Sequence, residues 1–178
     1  MKLLAIPGSI RSGSYNLALL QAMSKLSPKN IDITVFDKIK SIPLFDPETD
    51  DKDIPESVDY LMSKIRESDG VIISTPEYAH GVPGVLKNAL DWLVSSDVLV
   101  LKPVVVTSVS TSGLGGVRSH SPLVLILSAM NSNVVVEGSF NVPYAHNKFD
   151  DSLNLTDELT KKVINVSLAA LEQAINNT

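Results

Sequence analysis

Gly8-Ser9-Ile10-Arg11-Ser12-Gly13-Ser14-Tyr15-Asn16 is the stretch on which the fold turns. Before it lies a short apolar run, Leu3-Leu4-Ala5-Ile6, and after it Leu19, Leu20, Met23 and Leu26 recur at helical spacing. A strand, a loop of small and hydroxyl residues and then a helix is the layout of an anion site. The first turn of a helix leaves backbone N–H groups unpaired, and the helix dipole adds partial positive charge at that end. Ser9, Ser12 and Ser14 add hydroxyl donors, and Gly8 and Gly13 permit close approach of the backbone. Arg11 brings a forked cation suited to phosphate. These residues alone admit two readings. One is a phosphate monoester held at residues 9–16; the other is a polar loop with an N-cap at Ser14 or Asn16 and a solvated arginine.

Working outward, Leu3–Ile6 is apolar without alternation, as a strand covered on both faces should be. Residues 17–26 read as the first helix, ended by Ser27-Pro28-Lys29-Asn30. Ile31–Phe36 alternates apolar and polar side chains and reads as an outer strand. Residues 37–55, with Pro43, Pro47 and Pro55, read as a long surface connection whose Ile42-Pro43-Leu44-Phe45 tucks against the core. Further strands are expected at 70–74, 103–109 and 133–137. Further helices are expected at 58–66, 85–94, 117–130 (despite Pro122) and 156–175, with 140–154 irregular. Strands alternating with helices indicate a parallel sheet with helices on both faces. A phosphate loop after the first of five strands suits the order 2-1-3-4-5. The expected fold is therefore α/β, a flavodoxin-like three-layer sandwich in one domain spanning residues 1–178.

Composition narrows the function. The 178 residues suit a single sizeable core. The net charge of −5 is dispersed, which argues against nucleic acid or an anionic membrane as the main partner. There is no cysteine, so disulfides, thiolate metal sites and a cysteine nucleophile are excluded. No apolar run reaches the ~18 residues of a membrane span. The first residues lack the long apolar region of a signal peptide, so a cytoplasmic protein is expected.

In an open α/β sheet, ligands sit beyond the carboxyl ends of the strands at the switch in strand order. The loops after strands one, three and four leave those ends side by side. The second loop reads Thr75-Pro76-Glu77-Tyr78-Ala79-His80-Gly81-Val82-Pro83-Gly84. Its two prolines favour a fixed wall. Pro76–Ala79 are the expected ligand contacts, whereas Pro83-Gly84 opens the next helix. The third loop reads Ser110-Thr111-Ser112-Gly113-Leu114-Gly115-Gly116. Ser110 at the strand end is the better contact, while Gly115 and Gly116 fit a plain connection.

Gly8-Ser9-Ile10-Arg11-x-x-Ser14-x-Asn16, with Pro76-Glu77-Tyr78-x-x-x-x-Pro83-Gly84-x-Leu86-Lys87-Asn88-Ala89-Leu90-Asp91-Trp92, resembles the NADPH-dependent FMN reductase family. That family includes flavodoxin-like bacterial quinone, chromate and azo reductases. The resemblance implies FMN as cofactor and NADPH or NADH as co-substrate. It implies hydride transfer from NAD(P)H to flavin N5, then to a quinone, flavin, azo or metal-oxyanion acceptor in ping-pong fashion. It places Ser9, Arg11, Ser14, Tyr15 and Asn16 on the FMN phosphate and ribityl chain. Pro76, Glu77, Tyr78 and Ala79 would line the ring, with Ser110 and Gly113 of the third loop beside it. Many members carry Asn where this chain has Ala79.

Because the flavin carries the reaction, no acid–base or nucleophilic residue and no metal ligand is expected. His80 and Arg118 lie near the expected ring. Pocket shaping and solvation account for them as readily as contact with nicotinamide or a NADPH phosphate. Lys87 and Asp91 are expected to pair, with Trp92 packing. The resemblance further implies a homodimer or homotetramer acting on small-molecule acceptors. The alternative reading is a flavodoxin-type FMN electron carrier. Against it stand Arg11 in the phosphate loop and the placement of the single Trp in a helix.

Overall fold

The computed structural model describes residues 1–50 and 53–178. Six strands form one parallel sheet: β1 (Lys2–Pro7), β2 (Asp32–Val35), β3 (Gly70–Thr75), β4 (Pro103–Val109), β5 (Asn133–Val134) and β6 (Phe140–Val142). The sheet runs in the order β2-β1-β3-β4-β5, with β6 also paired to β4. The helices are α1 (Tyr15–Leu26), α2 (Pro47–Asp50), α3 (Glu56–Arg66), α4 (Gly84–Asp91), α5 (Val117–Ala129) and α6 (Glu158–Asn176).

The three-layer arrangement follows from side-chain alternation along buried strands. Leu4, Ile6, Val71, Ile73, Val104 and Val106 pack on one face with α3, α4 and α5. Leu3, Ala5, Ile72 and Val105 pack on the other with α1 and α6. Local signals set the helix ends. Ser14 caps α1 by accepting from the Leu17 N–H, and Asp157 caps α6 by accepting from the Thr160 N–H at 2.8 Å. At Gly116, φ is +86°, a left-handed turn that leads into α5 at little cost for glycine. Pro122 lies within α5, where it withholds only the N–H that would have met the Arg118 carbonyl.

Of Ile42–Phe45, expected to tuck against the core, Ile42 is buried and Phe45 half-buried, whereas Leu44 points to solvent, 86% exposed. The Trp92 indole donates to the Pro43 carbonyl at 2.9 Å, and the Phe45 ring meets the Trp92 ring edge-on at 5.2 Å. Lys87 and Asp91 pair on α4.

The structure departs from the sequence reading around the fifth strand. Only Asn133–Val134 pair as β5, against Pro103 and Val104. A 3₁₀ turn follows at Val136–Gly138. Phe140–Val142, expected to be irregular, then adds beside Thr107–Val109. The reason is length. β4 has seven residues, so its carboxyl half would be an open edge with unpaired N–H and C=O groups. Ser139 bridges the break, accepting from the Val106 N–H at 3.0 Å.

Candidate functional site

The first loop is a set of donors aimed at one place. The Gly8 N–H donates to the Ser74 carbonyl at 2.8 Å, pinning the loop to β3. A Cβ on Gly8 would stand 2.9 Å from Leu86 and 3.1 Å from that carbonyl, so only glycine lies this close. Beyond it, the Arg11 N–H is taken by Ser9 Oγ at 3.3 Å. Among the described residues, the N–H groups of Ser12, Gly13, Ser14, Tyr15 and Asn16 meet no protein acceptor. Five free N–H groups at one helix start, with the Ser9 and Ser14 hydroxyls and the Arg11 guanidinium, suit a phosphate dianion. The residues present therefore fit the phosphate end of FMN.

Asn16 has a different employment from the rest. It is 3% exposed. Its Oδ1 accepts from the Ser74 hydroxyl at 2.9 Å and from the Val109 N–H at 3.0 Å. Its Nδ2 donates to the Val109 carbonyl at 3.1 Å. The side chain thus ties the start of α1 to the carboxyl ends of β3 and β4. Its backbone N–H is what it has left to offer a ligand.

The second loop is a tight reversal. Tyr78 and Gly81 exchange N–H···O bonds of 3.2 and 3.0 Å. Between them, Ala79 (φ +49°) and His80 (φ +61°) are both left-handed, the signature of a type I′ turn. Asn and Gly suit that turn; Ala and His occupy it here at a cost of about 1–2 kcal/mol each. Glu77 Oε1 lies 3.0 Å from His80 Nδ1, and its Oε2 accepts from the Arg118 N–H at 3.2 Å. Arg118 Nη1 stands 3.0 Å from the same His80 nitrogen. The three residues fasten the second loop to the first turn of α5, where a carboxylate is favoured by the helix dipole.

The third loop rests on the chain that follows β6. The Ser110 N–H donates to the Val142 carbonyl at 3.0 Å, and the Ala145 N–H donates to the Ser110 carbonyl at 3.0 Å. Tyr144 approaches Gly113 so closely that a Cβ there would lie 2.6 Å from the phenol oxygen.

These loops enclose a cleft lined by Ser9, Arg11, Ser14, Tyr15 and Asn16 on one side, Pro76, Glu77 and Tyr78 on another, and Ser110 on the third. Nine expected residues are thus brought together. Ala79 and Gly113 stand outside the lining: Ala79 is spent on the reversal, and Gly113 faces Tyr144. Gly13, Val109 and Thr111 complete the wall. Thr111 was findable as the neighbour of Ser110, whereas Val109 is a buried strand residue that borders the cleft only because β4 ends there. Ser9 Oγ and the Tyr78 hydroxyl meet at 3.2 Å, joining the first two walls. The cleft holds about 140 Å³, against about 600 Å³ in a crevice beside Lys38 and Tyr60. Size does not single it out; its converging donors do. His120 lies elsewhere, on α5. Burial lowers its pKa, and its Nδ1 has no partner among the described residues.

A parallel sheet in this order, with a donor-lined cleft where the order reverses, defines a flavodoxin-like fold whose cleft suits a phosphate ester. The family model described as NADPH-dependent FMN reductase matches residues 1–147. The chain belongs to that family. It is 34% identical over 153 residues to the quinone reductase of Escherichia coli strain K12, covering 84% of this chain and 81% of that one. It is 32% identical over 174 residues to an NAD(P)H-dependent FMN reductase of Pseudomonas aeruginosa, covering 97% and 94%. Among solved structures, a flavoenzyme NAD(P)H:(acceptor) oxidoreductase of Paracoccus denitrificans superposes with a TM-score of 0.87 at 24% identity. That match covers 98% of this chain and 97% of the other. It speaks for the fold.

Proposed function

We propose that the chain is an FMN-dependent NAD(P)H oxidoreductase that reduces small acceptors such as quinones, free flavin, azo compounds or metal oxyanions in two alternating half-reactions. Bound FMN would supply the hydride-transferring ring. The observation that carries the reading is the cleft itself: unpaired N–H groups and Arg11 at one end, and a wall of Pro76, Glu77 and the Tyr78 phenol at the other. In this reading, the N–H groups of residues 12–16, Ser9, Ser14 and Arg11 hold the phosphate. Pro76, Glu77 and Tyr78 bound the flat ring, and Ser110 closes its far side. Ala79 and Gly113 act indirectly, through the shape of the turn and the seat of Tyr144. The same proposal takes residues 1–178 as one flavin-binding domain. It takes the active form as a cytoplasmic homodimer or homotetramer, which light scattering on a sizing column measures.

The test is a visible spectrum of the protein after loading with FMN and desalting. NADPH is then added without oxygen, followed by benzoquinone. A retained band that NADPH bleaches and quinone restores is expected. A retained band that NADPH leaves unchanged would favour the electron carrier, and loss of the band from folded protein would remove FMN from the reading.

A further inference from the structure

We propose that a cavity beside the phosphate loop, at the carboxyl ends of β1 and β2, binds an adenosine 5′-phosphate group. The cavity holds about 350 Å³, within the roughly 300–1,000 Å³ of small-molecule sites. It adjoins the cleft already described, because Ser9 and Arg11 line both. One molecule can therefore cross from one to the other over Arg11, or two can lie side by side.

Three features match the three parts of an adenylate. The floor carries Phe36 and Ile39, 2% and 3% exposed, with Ile10 at the lip. The core residues close the cavity from below, and Ile10, 54% exposed, is the apolar surface a flat base would meet. The rim carries Arg11 and Lys40, which form no ion pair among the described residues. Lys40 is the cation left for a second phosphate, with Arg11 shared between the two sites. Asp37, two residues past the end of β2, lines the same cavity. Its neighbour Phe36 still donates to the Ala5 carbonyl at 2.8 Å, so Asp37 sits level with the start of the phosphate loop. In the related dinucleotide-binding sheets of order 3-2-1-4-5-6, an acid about 20 residues past the phosphate loop accepts from a ribose hydroxyl. The juxtaposition of Phe36, Asp37, Lys40 and Arg11 repeats that logic here.

The adenylate can belong to two carriers: the nicotinamide dinucleotide, or a flavin in its dinucleotide form. Only the choice of carrier rests on the oxidoreductase reading. The experiment titrates FMN-saturated and FMN-free protein with AMP, following backbone amide shifts, with inorganic phosphate and adenosine as controls. AMP is expected to move the amides of residues 36–40 in both forms. Lys40→Glu should weaken AMP about tenfold, the scale of one charge-assisted hydrogen bond. Asp37→Ala should weaken AMP and adenosine while leaving inorganic phosphate unchanged. FAD binding more tightly than FMN, with the gain lost in Lys40→Glu, assigns the adenylate to the flavin. NADPH binding weakened in Lys40→Glu at unchanged FMN affinity assigns it to the nicotinamide donor. Absence of AMP shifts at 36–40 in either form, or AMP affinity indifferent to both substitutions, overturns the proposal. FMN retention is read separately by absorbance, so AMP binding without FMN retention would defeat the oxidoreductase reading and leave this one standing.

Discussion

The two walls of the cleft are held in opposite ways. The first is held from inside, by the buried Asn16 amide and its three hydrogen bonds to β3 and β4. The second is held nearer the surface, by a strained reversal and by the Glu77 carboxylate, 14% exposed, meeting two partners that face water. The His80 side chain is 72% exposed and that of Arg118 51%. Buried polar groups left without partners each cost about 1–3 kcal/mol, whereas exposed ion pairs contribute about 0–1 kcal/mol. The donor wall is therefore a fixed template. The opposite wall is tied weakly enough to be retuned by single substitutions.

The sharpest way to break this comparison is Asn16→Ala. It orphans the Ser74 hydroxyl and both backbone groups of Val109, and we expect a loss of about 3–5 kcal/mol in urea unfolding. A loss below about 1 kcal/mol would mean that the wall is not held from inside. Next comes Arg11→Ala, an exposed change with little effect on stability. We expect it to weaken FMN binding by about 1.5–3 kcal/mol, read as roughly 10–100-fold in the dissociation constant.

A third substitution, far from the cleft, calibrates what a helix cap is worth in this chain. The Thr160 hydroxyl, then Lys148, hold the Asp157 carboxyl down at about 2, against about 3.9 for a free aspartate. Asp157→Ala should cost about 1 kcal/mol at neutral pH. Because the folded pKa is depressed, this contribution is complete above pH ~4 and fades as the pH falls toward about 2. Wild type and variant should therefore draw together in acid melts; a gap undiminished at pH 2 would assign the effect to packing. The smallest expected effect sharpens the second wall. Ala79→Asn places a residue that tolerates the left-handed region in the reversal. It should raise stability by about 0.5–1 kcal/mol in the same urea assay.

How much of this was legible depends on how far each residue reaches. Ser14 acts within a few positions of itself, so the chain alone offered it, beside Asn16, as the cap of the first helix, and the last helix was expected to begin within two residues of its start at Glu158. Asn16 looks like one more loop donor, yet its partners lie 58 and 93 positions away. The meeting of Glu77 with Arg118 spans 41 positions, and nothing in either sequence neighbourhood announces it. β6 escaped for the same reason. Phe140–Val142 is too short to show a period, and it becomes a strand because β4 leaves an edge to be paired.

The sequence by itself determined the alternation of strands and helices, the strand order and the phosphate-suited loop, because periodicity, caps and small residues act locally. Family membership was legible for the same reason, since its motifs are continuous runs. Only the tertiary structure decided which loop residues face the cleft and which support it. It placed Asn16 under the wall and Ala79 in the reversal. It set Gly113 against Tyr144, and brought Asp37 and Lys40 alongside Arg11. Those assignments follow from where a twisted sheet brings the ends of separate strands together, and no local pattern encodes that distance.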